Sequence, residues 1–314
     1  MLPKGCISKH EININKGVLK MLWLILTLVA AFLWAIVNVL DKHIVCDELK
    51  DPKLCSMIYG LVFFIFTSIA AFIFKIPIVF NIVSAFAIAG GVLATIAVLF
   101  YYDSLEEGDV SKVVALFLLV PLFVLFFSFI FLGETLGIKE YVGLFLLMLG
   151  TVIISAKRAR GEAKLKEYFF LTILTVILFA ARDVLIRYAS LNYDIIHILF
   201  WVGIGSLINS MFLLISEHKH LIMKAREREG IEHLILSAIL SVLAFIAFSK
   251  AISLTKVALI STLVNVKVFI VLIIAIVLSK YNPNIINEHM ERSSLKRKII
   301  GIILLFMGAA LVIL

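Results

Sequence analysis

Long apolar runs separated by short polar links repeat along the whole chain. Each run is roughly 18 to 24 residues long, enough to cross the hydrocarbon core of a bilayer as an α-helix. Lipid offers no partner to a free backbone N–H or C=O, so runs of this kind must be helical. The pattern predicts ten transmembrane helices, at residues 21–40, 54–74, 82–102, 111–131, 137–156, 167–189, 195–215, 231–253, 257–279 and 297–314.

Composition agrees with a multi-pass protein of the cell membrane. The apolar residues AVILMFWYC make up 63% of the chain, only 16% are charged, and the mean hydropathy is +1.13. A soluble domain is about half apolar and a quarter charged. The net charge of +8 could suggest nucleic acid, but the basic residues lie in the links between runs, where they contact lipid headgroups or set topology. We therefore expect lipid rather than nucleic acid as their partner.

The second half of the chain repeats the first weakly but in register. We align Asn38–Lys42 with Asp183–Arg187, Tyr101–Leu105 with Phe248–Ile252, Pro121 with Lys267, and Gly143–Gly150 with Gly301–Gly308. Each half has an odd number of runs, so the second half enters the membrane from the opposite side. Such inverted repeats suit alternating access around a central cavity, although channels also use them. The predicted organisation is a polar tail (1–20), a first five-helix repeat (21–156), a basic linker (157–166) and a second repeat (167–314).

The order and spacing of several features resemble the drug/metabolite transporter superfamily, in its EamA-like ten-helix branch. The features are Trp34 with Asn38 and Lys42, Tyr101–Leu105, Pro121, Leu132-Gly133-Glu134, and the Gly143/Gly150 run. The resemblance implies that helices 1, 3, 4, 6, 8 and 9 line a central cavity and that helices 5 and 10 are peripheral. It also implies export or exchange of small metabolites, often amino acids, without ATP. Two positions depart from the pattern: Lys267 replaces the second proline, and Lys280 replaces the second Glu.

Lys267 is the most informative candidate residue. It lies eleven residues after Lys256 and thirteen before Lys280, which places it near the bilayer midplane. A charge there costs about 2.5–3.5 kcal/mol on insertion scales. The functional interpretation is an anchor for an anionic or zwitterionic substrate. The alternative is a lysine held structurally by carbonyls, by Asn265 or by a carboxylate.

Arg182 and Asp183 lie inside the sixth run and leave two interpretations open. Neighbouring helical residues point about 100° apart, so we expect no contact between these two. In the first interpretation Asp183 pairs with Arg187, four residues on. In the second, Arg182 or Asp183 faces the cavity, and Asp183 is a candidate partner of Lys267.

Other polar and aromatic positions complete the candidate set. Trp34 is one turn before Asn38 and shares its face, and Tyr101 and Tyr102 end the third run; interfacial positions are the alternative for such aromatics. Lys42 and Arg187 end equivalent helices. Asp103 and Lys250 are also equivalent, with opposite charges near opposite membrane faces; they are candidate gating residues or solvated helix ends. Gly143 with Gly150 and Gly301 with Gly308 predict packing within the chain rather than a homodimer seam, and the choice between monomer and homodimer stays open.

The sequence leaves open which side of the membrane the termini face and whether two cysteines pair. Among the 29 Lys and Arg, nine fall on the side of the N terminus and eighteen on the opposite side. The positive-inside rule then predicts external termini, whereas the resemblance implies cytoplasmic ones. The basic tail argues weakly for cytoplasmic termini, and a start at Met21 would remove that tail.

Cys46 and Cys55 share one link and either pair or remain two thiols.

These observations predict an all-α integral membrane protein of ten helices in two inverted repeats around a cavity. The predicted function is secondary transport of a small polar metabolite by alternating access, as an exporter or exchanger. Proton coupling through Lys267 and Asp183 is one option. The alternatives are a channel or lipid-translocating protein on the same scaffold, or, less well supported, a membrane-embedded enzyme. No ATP-binding motif, cofactor motif or metal-ligand spacing is apparent in the sequence, and we predict that the chain is not an enzyme.

Overall fold

The described residues form one bundle of helices. The computed structural model describes residues 9–107, 113, 116–155, 165–217, 230–271, 273–274, 300–301, 303–304, 307–308 and 310–311, and among them it has no strand. The residues described between 300 and 311 are also helical. The helices are α1 (Lys9–His43), α2 (Pro52–Ile73), α3 (Ile82–Glu107), α4 (Val120–Leu132), α5 (Ile138–Ser155), α6 (Leu165–Ser190), α7 (Ile195–Ser216), α8 (Ile231–Leu254) and α9 (Val257–Val271).

The predicted class, an all-helical membrane protein, is confirmed. Six of the described helices are long and apolar enough to cross a membrane, and α4 and α9 are shorter apolar helices. Large apolar side chains point outwards, among them Phe72 (85% exposed) and Ile138 (84%), while Thr175, Ser206 and Ser210 are buried. Each of the ten predicted runs is helical where it is described, apart from Phe74 and Gly137 at the ends of two runs, but ten crossings and an inverted repeat remain predictions.

The first helix extends further in both directions than its apolar run. It begins at Lys9, so residues 9–20 of the predicted polar tail are helical, and the tail as a separate segment stays a prediction. Adding residues to an existing helix avoids the cost of nucleation, which explains how a polar segment continues it. At its other end α1 passes through His43 into a π-helical turn at Ile44–Glu48.

Short 3₁₀ turns occur at corresponding points of the two halves. A 3₁₀ turn at Phe117–Leu119 precedes α4, and another at Val264–Val266 interrupts α9 just before Lys267. Pro121 follows the first turn and has no N–H to donate. The second turn forms without a proline. Short 3₁₀ segments within a helix often mark a functional hinge.

Helices from the two halves interlock at the centre of the bundle. α3 packs along α6 and α7, α1 packs along α8, α2 packs along α7, and α4 packs against α6 and α9. Several buried hydroxyl groups donate within their own helices: Thr27 to the carbonyl of Trp23, Thr95 to that of Gly91 and Ser206 to that of Val202. These bonds satisfy the three hydroxyls where no water is available, whereas the buried hydroxyls of Ser68 and Ser249 have no partner among the described residues.

The backbones of α3 and α7 touch where they cross. A Cβ on Gly91 would overlap the carbonyl of Val202, and a Cβ on Gly205 would overlap the carbonyl of Ile88. Small residues of this kind let helices approach closely in lipid.

We expect Gly91→Ala to lower the melting temperature in detergent by roughly 5 °C or more, because overpacking against backbone costs about 1–3 kcal/mol and the backbone cannot yield. Gly90→Ala is the matched control. Its Cβ would meet nothing closer than 3.8 Å, so it should melt at or above the wild-type temperature. Equal melting of the two variants would contradict this account of the crossing.

The small-residue stripes pack within the chain. Gly308 is buried, and a Cβ there would meet the carbonyl oxygen of Gly143 at 2.7 Å and the backbone nitrogen of Leu147 at 2.8 Å. This contact agrees with the expected packing within the chain.

Cys46 and Cys55 are both free thiols, and Cys46 Sγ donates to the carbonyl of Leu105 at 3.4 Å. Lys280, Cys6 and most of the predicted linker lie outside the described residues.

Candidate functional site

A polar cavity of about 90 Å³ lies inside the bundle. Residues of α1, α2, α3, α4, α6, α8 and α9 line it. Its volume holds a few water molecules or a small solute. Its lining includes four ionisable groups of opposite signs, Asp41, Arg182, Asp183 and Lys267, in a protein whose outer surface is apolar. Such groups in a membrane interior mark a functional site by default.

All eight residues predicted for the cavity line it. They come from four helices far apart in sequence: Trp34, Asn38, Tyr101, Tyr102, Arg182, Asp183, Asn265 and Lys267. The contributing helices include the six that the resemblance implies, and α2 adds Tyr59. That these residues bind a substrate stays a prediction.

Arg182 and Asp183 form a buried ion pair. Both Nε and Nη2 of Arg182 donate to Oδ1 of Asp183, at 2.9 and 2.7 Å, and the guanidinium lies 4.5 Å from the ring centroid of Phe179. The expectation that these neighbours do not meet is wrong, because the long arginine side chain bends back to its neighbour. The predicted Asp183–Arg187 pair is also wrong, and Arg187 has a different partner.

Lys267 sits among aromatic rings rather than beside a carboxylate. Its ammonium lies 5.2 Å from the ring centroid of Trp34 and 5.5 Å from that of Phe117. Such cation–π contacts attract an ammonium by about 0.5–2 kcal/mol. No hydrogen bond or ion pair joins Lys267 to any other residue that the structure describes, so the proposed pairing with Asp183 is not a direct contact. The three donors of this ammonium are therefore available to a ligand.

Asn38 also presents an unused donor. Its Oδ1 accepts a hydrogen bond from the Tyr101 hydroxyl at 3.2 Å. Its Nδ2 is buried and has no partner in the described part of the chain. A buried amide left unpaired costs about 1–3 kcal/mol. A ligand that accepts a hydrogen bond from Nδ2 would remove that cost.

Sequence reasoning missed Asp41, which is 3% exposed and lines the same cavity. The Ser237 hydroxyl donates to Asp41 Oδ1 at 2.6 Å. The predicted run ends at residue 40, whereas α1 continues through Asp41 to His43. The spacing contained a usable signal, since Asp41 follows Asn38 by three residues and so shares its face. Tyr59, Ser241 and Ser261 also line the cavity and were not predicted.

Arg187 belongs to a polar cluster at one end of the bundle, here called the Glu134 end. Its Nε donates to Glu134 Oε1 at 2.7 Å, and its Nη1 donates to the carbonyl of Ile252 at 3.0 Å. The Val257 N–H donates to Glu134 Oε2 at 3.4 Å. Close by, Lys256 Nζ donates to Glu140 Oε2 at 2.8 Å. These contacts join the ends of α4, α6 and α8 to the start of α9.

The other predicted helix-end residues do not line the cavity. Lys250 is exposed, and Lys42 and Asp103 are half-buried. At the opposite end of the bundle, here called the Glu48 end, Glu48 Oε1 lies 2.8 Å from Nδ1 of His233 and 3.3 Å from Nε2 of His43. Lys53 and Glu217 form a more exposed ion pair there, at 2.6 Å. Among the described residues, no group of three His, Cys, Asp or Glu could hold a metal ion.

A second cavity, of about 500 Å³, lies between α3, α4 and α6 and is lined almost entirely by apolar side chains such as Phe86, Phe127 and Phe131. It offers no charged group to a polar solute. In a bilayer such a cavity suits an acyl chain, and it is separate in its lining from the polar cavity.

Comparison with known proteins identifies the family. A sequence profile of the EamA-like transporter family matches residues 21–156. The chain belongs to this family. The EamA-like family is part of the drug/metabolite transporter superfamily, so the chain is a membrane transporter by family, and its family consists of transporters rather than enzymes.

Two other proteins extend the comparison of this EamA-like transporter. An uncharacterized protein of Methanocaldococcus jannaschii is 30% identical over 133 residues, which are 42% of this chain and 95% of that protein. A crystal structure of another protein superposes with a TM-score of 0.67 at 14% identity, covering 92% of this chain and 95% of the other. At this identity the second likeness shows the fold alone.

Proposed function

We propose that this EamA-like transporter is a secondary transporter that moves a small polar metabolite by alternating access, as an exporter or exchanger. The observation that carries the proposal is the charged cavity in the middle of an apolar bundle. Both halves of the chain contribute to its lining, from Asn38 and Tyr101 in the first to Asp183 and Lys267 in the second. A site shared by two halves is what alternating access requires.

The packing supports the proposal of two inverted repeats, residues 21–156 and 167–314. Exchanging the halves converts the α3–α6 contact into the α8–α1 contact, and both are extensive. Trp34 and Phe179 fall at equivalent positions of α1 and α6, and both line the cavity. The relative from Methanocaldococcus jannaschii is almost entirely matched by 42% of this chain, which supports a half-length unit as a separate structural module.

The charge pattern of the cavity supports a zwitterionic or anionic cargo, such as an amino acid or a small organic acid. Lys267 and Asn38 Nδ2 supply unused donors for a carboxylate. Both hydrogen bonds from Arg182 end on Oδ1 of Asp183. The other carboxylate oxygen, Oδ2, can therefore accept a hydrogen bond from an ammonium group. Charged hydrogen bonds of this kind contribute about 1.5–3 kcal/mol each. The volume of about 90 Å³ favours a small solute.

We further propose that the Glu134–Arg187 cluster closes one side of the cavity in this conformation. The charge count of the links favours placing the Glu134 end, on the same side as the N terminus, outside the cell. The external face is then the closed one, and the cargo enters from the cytoplasm. A continuously open channel is less favoured, because this cluster joins the ends of several helices.

A thermal-shift screen of the purified protein tests the proposed function. The ligand panel contains amino acids, organic acids, sugar phosphates and nucleotide sugars. A ligand that binds only the folded state raises the melting temperature, by an amount that grows with its concentration over Kd. We expect stabilisation by amino or organic acids, followed by flux of the same compounds into liposomes. Stabilisation without any flux would contradict transport, and stabilisation only by nucleotide sugars would contradict the proposed cargo.

A further inference from the structure

We propose that Asp41 is a proton-binding site of the transport cycle, which binds a proton from water as its cavity closes and releases it to water when the cavity opens. The inference rests on the proposed transport function, but its observations and its test are independent of any cargo. It assigns to Asp41 the coupling role that the sequence had suggested for Lys267 and Asp183.

The first observation is that Asp41 is a buried carboxyl group without a counter-ion. It is 3% exposed, and it forms no ion pair with any residue that the structure describes. Its hydrogen-bond donors are the Ser237 hydroxyl, at 2.6 Å, and the Tyr102 hydroxyl. An isolated buried carboxylate is strongly disfavoured relative to its neutral acid, because desolvation penalises the charged form.

The second observation is the difference between Asp41 and the other carboxylate of the cavity. Asp183 receives two hydrogen bonds from Arg182, so its negative charge is compensated whatever the solvent does. Asp41 has only neutral hydroxyl donors, Ser237 and Tyr102. The two acids are therefore expected to behave differently in one cavity, with Asp183 charged throughout and Asp41 following the access of water.

Among the described residues, the titratable groups that face Asp41 are thiols and phenols rather than cations. Cys55 and Tyr59 face it from α2, Tyr101 and Tyr102 from α3, and Ser237 from α8. The same cavity is also lined by Arg182 and Asp183 from α6 and by Lys267 from α9. Arg182 pairs with Asp183, and the ammonium of Lys267 lies over the aromatic rings and forms no ion pair with Asp41.

The third observation is that Asp41 shares its cavity with the candidate cargo groups. Asn38, one turn earlier on α1, has its free Nδ2 in the same cavity. A hydronium ion transfers its proton to the Asp41 carboxylate, which gains an O–H bond and becomes neutral while a water molecule is left, and the reverse transfer restores the carboxylate. Cargo and proton then alter the net charge of one enclosed space, which couples their binding electrostatically.

Infrared titration of the purified wild-type protein tests the assignment without a cargo. The carbonyl stretch of a protonated carboxylic acid is distinct from that of a carboxylate and shifts in heavy water. We expect a protonated-acid band that disappears as pH rises, that is missing in Asp41→Asn and that persists in Asp183→Asn. A band that is unchanged in Asp41→Asn, or a wild-type protein with no such titrating band, would overturn the proposal.

Ser237→Ala is a milder variant that covers the case in which Asp41→Asn fails to fold. Loss of the hydroxyl donor should shift the midpoint of the band by about one pH unit. Ser104→Ala is the matched control, since this buried serine donates to the carbonyl of Tyr101 instead. Superimposable titrations of wild type and Ser237→Ala would overturn the assignment. Failure here leaves the ligand screen and liposome flux unaffected, so the two proposals fail separately.

Discussion

Replacing Lys267 with methionine should remove the stabilisation of the protein by amino or organic acids while leaving the unliganded protein at least as stable as the wild type. The ammonium has no hydrogen-bond partner among the described residues, so a carboxylate ligand is its natural acceptor. Loss of one charged hydrogen bond weakens binding by roughly tenfold to a hundredfold. Methionine keeps much of the chain length, and exchanging a buried charge for an apolar group is often neutral or stabilising.

The two readouts separate a binding role from a structural one. A structural lysine would lower the melting temperature when removed, whatever the ligand. Lys250→Met is the matched control, because Lys250 lies exposed on α8 outside the cavity; it should retain the full ligand response. Equal stabilisation of wild type and Lys267→Met by the same acids would remove Lys267 from the site.

Replacing Glu134 with glutamine should open the Glu134 end of the bundle. The variant leaves Arg187, which is 13% exposed, without its anion, and breaking a buried pair costs up to about 3–5 kcal/mol. The partial exposure lowers that figure. A loss of even about 1.4 kcal/mol changes the closed-to-open ratio tenfold. We therefore expect a cysteine placed behind the cluster to react at least about tenfold faster with a maleimide.

Ala258 is a suitable reporter position, since it is 1% exposed in the first turn of α9. The reporter Ala258→Cys requires a background in which Cys6, Cys46 and Cys55 are serine. Lys53→Gln is the control: it breaks the Lys53–Glu217 pair at the Glu48 end, which is 48% and 36% exposed and contributes little. If Glu134→Gln and Lys53→Gln label Ala258→Cys at the same rate, the Glu134 cluster does not hold the bundle closed.

The sequence was sufficient to predict eight of the residues that meet in the cavity. Lys267, Arg182 and Asp183 stand out because a charge within an apolar run is costly, and Asn38 follows from its spacing to Trp34. Helical periodicity and the cost of burial are local properties, so they can be read from one sequence. The family resemblance then grouped these helices around one centre.

Pairings between side chains could not be predicted in the same way. The partner of Arg187 proved to be Glu134, from a link more than fifty positions earlier in the chain, and no local spacing encodes that contact. The Arg182–Asp183 bond depends on how a flexible side chain bends within a crowded interior. Asp41 was overlooked for a third reason, since the end of an apolar run was taken as the end of the helix.

The contact between α3 and α7 has a mechanical consequence. Because the carbonyls of Ile88 and Val202 occupy the space that Cβ atoms of Gly205 and Gly91 would fill, no flexible side chains cushion the two backbones at this point. Sliding one helix along the other would drive a carbonyl into the neighbouring turn. A small tilt about the glycines avoids that collision. The crossing is therefore a pivot about which the ends of α3 and α7 can move.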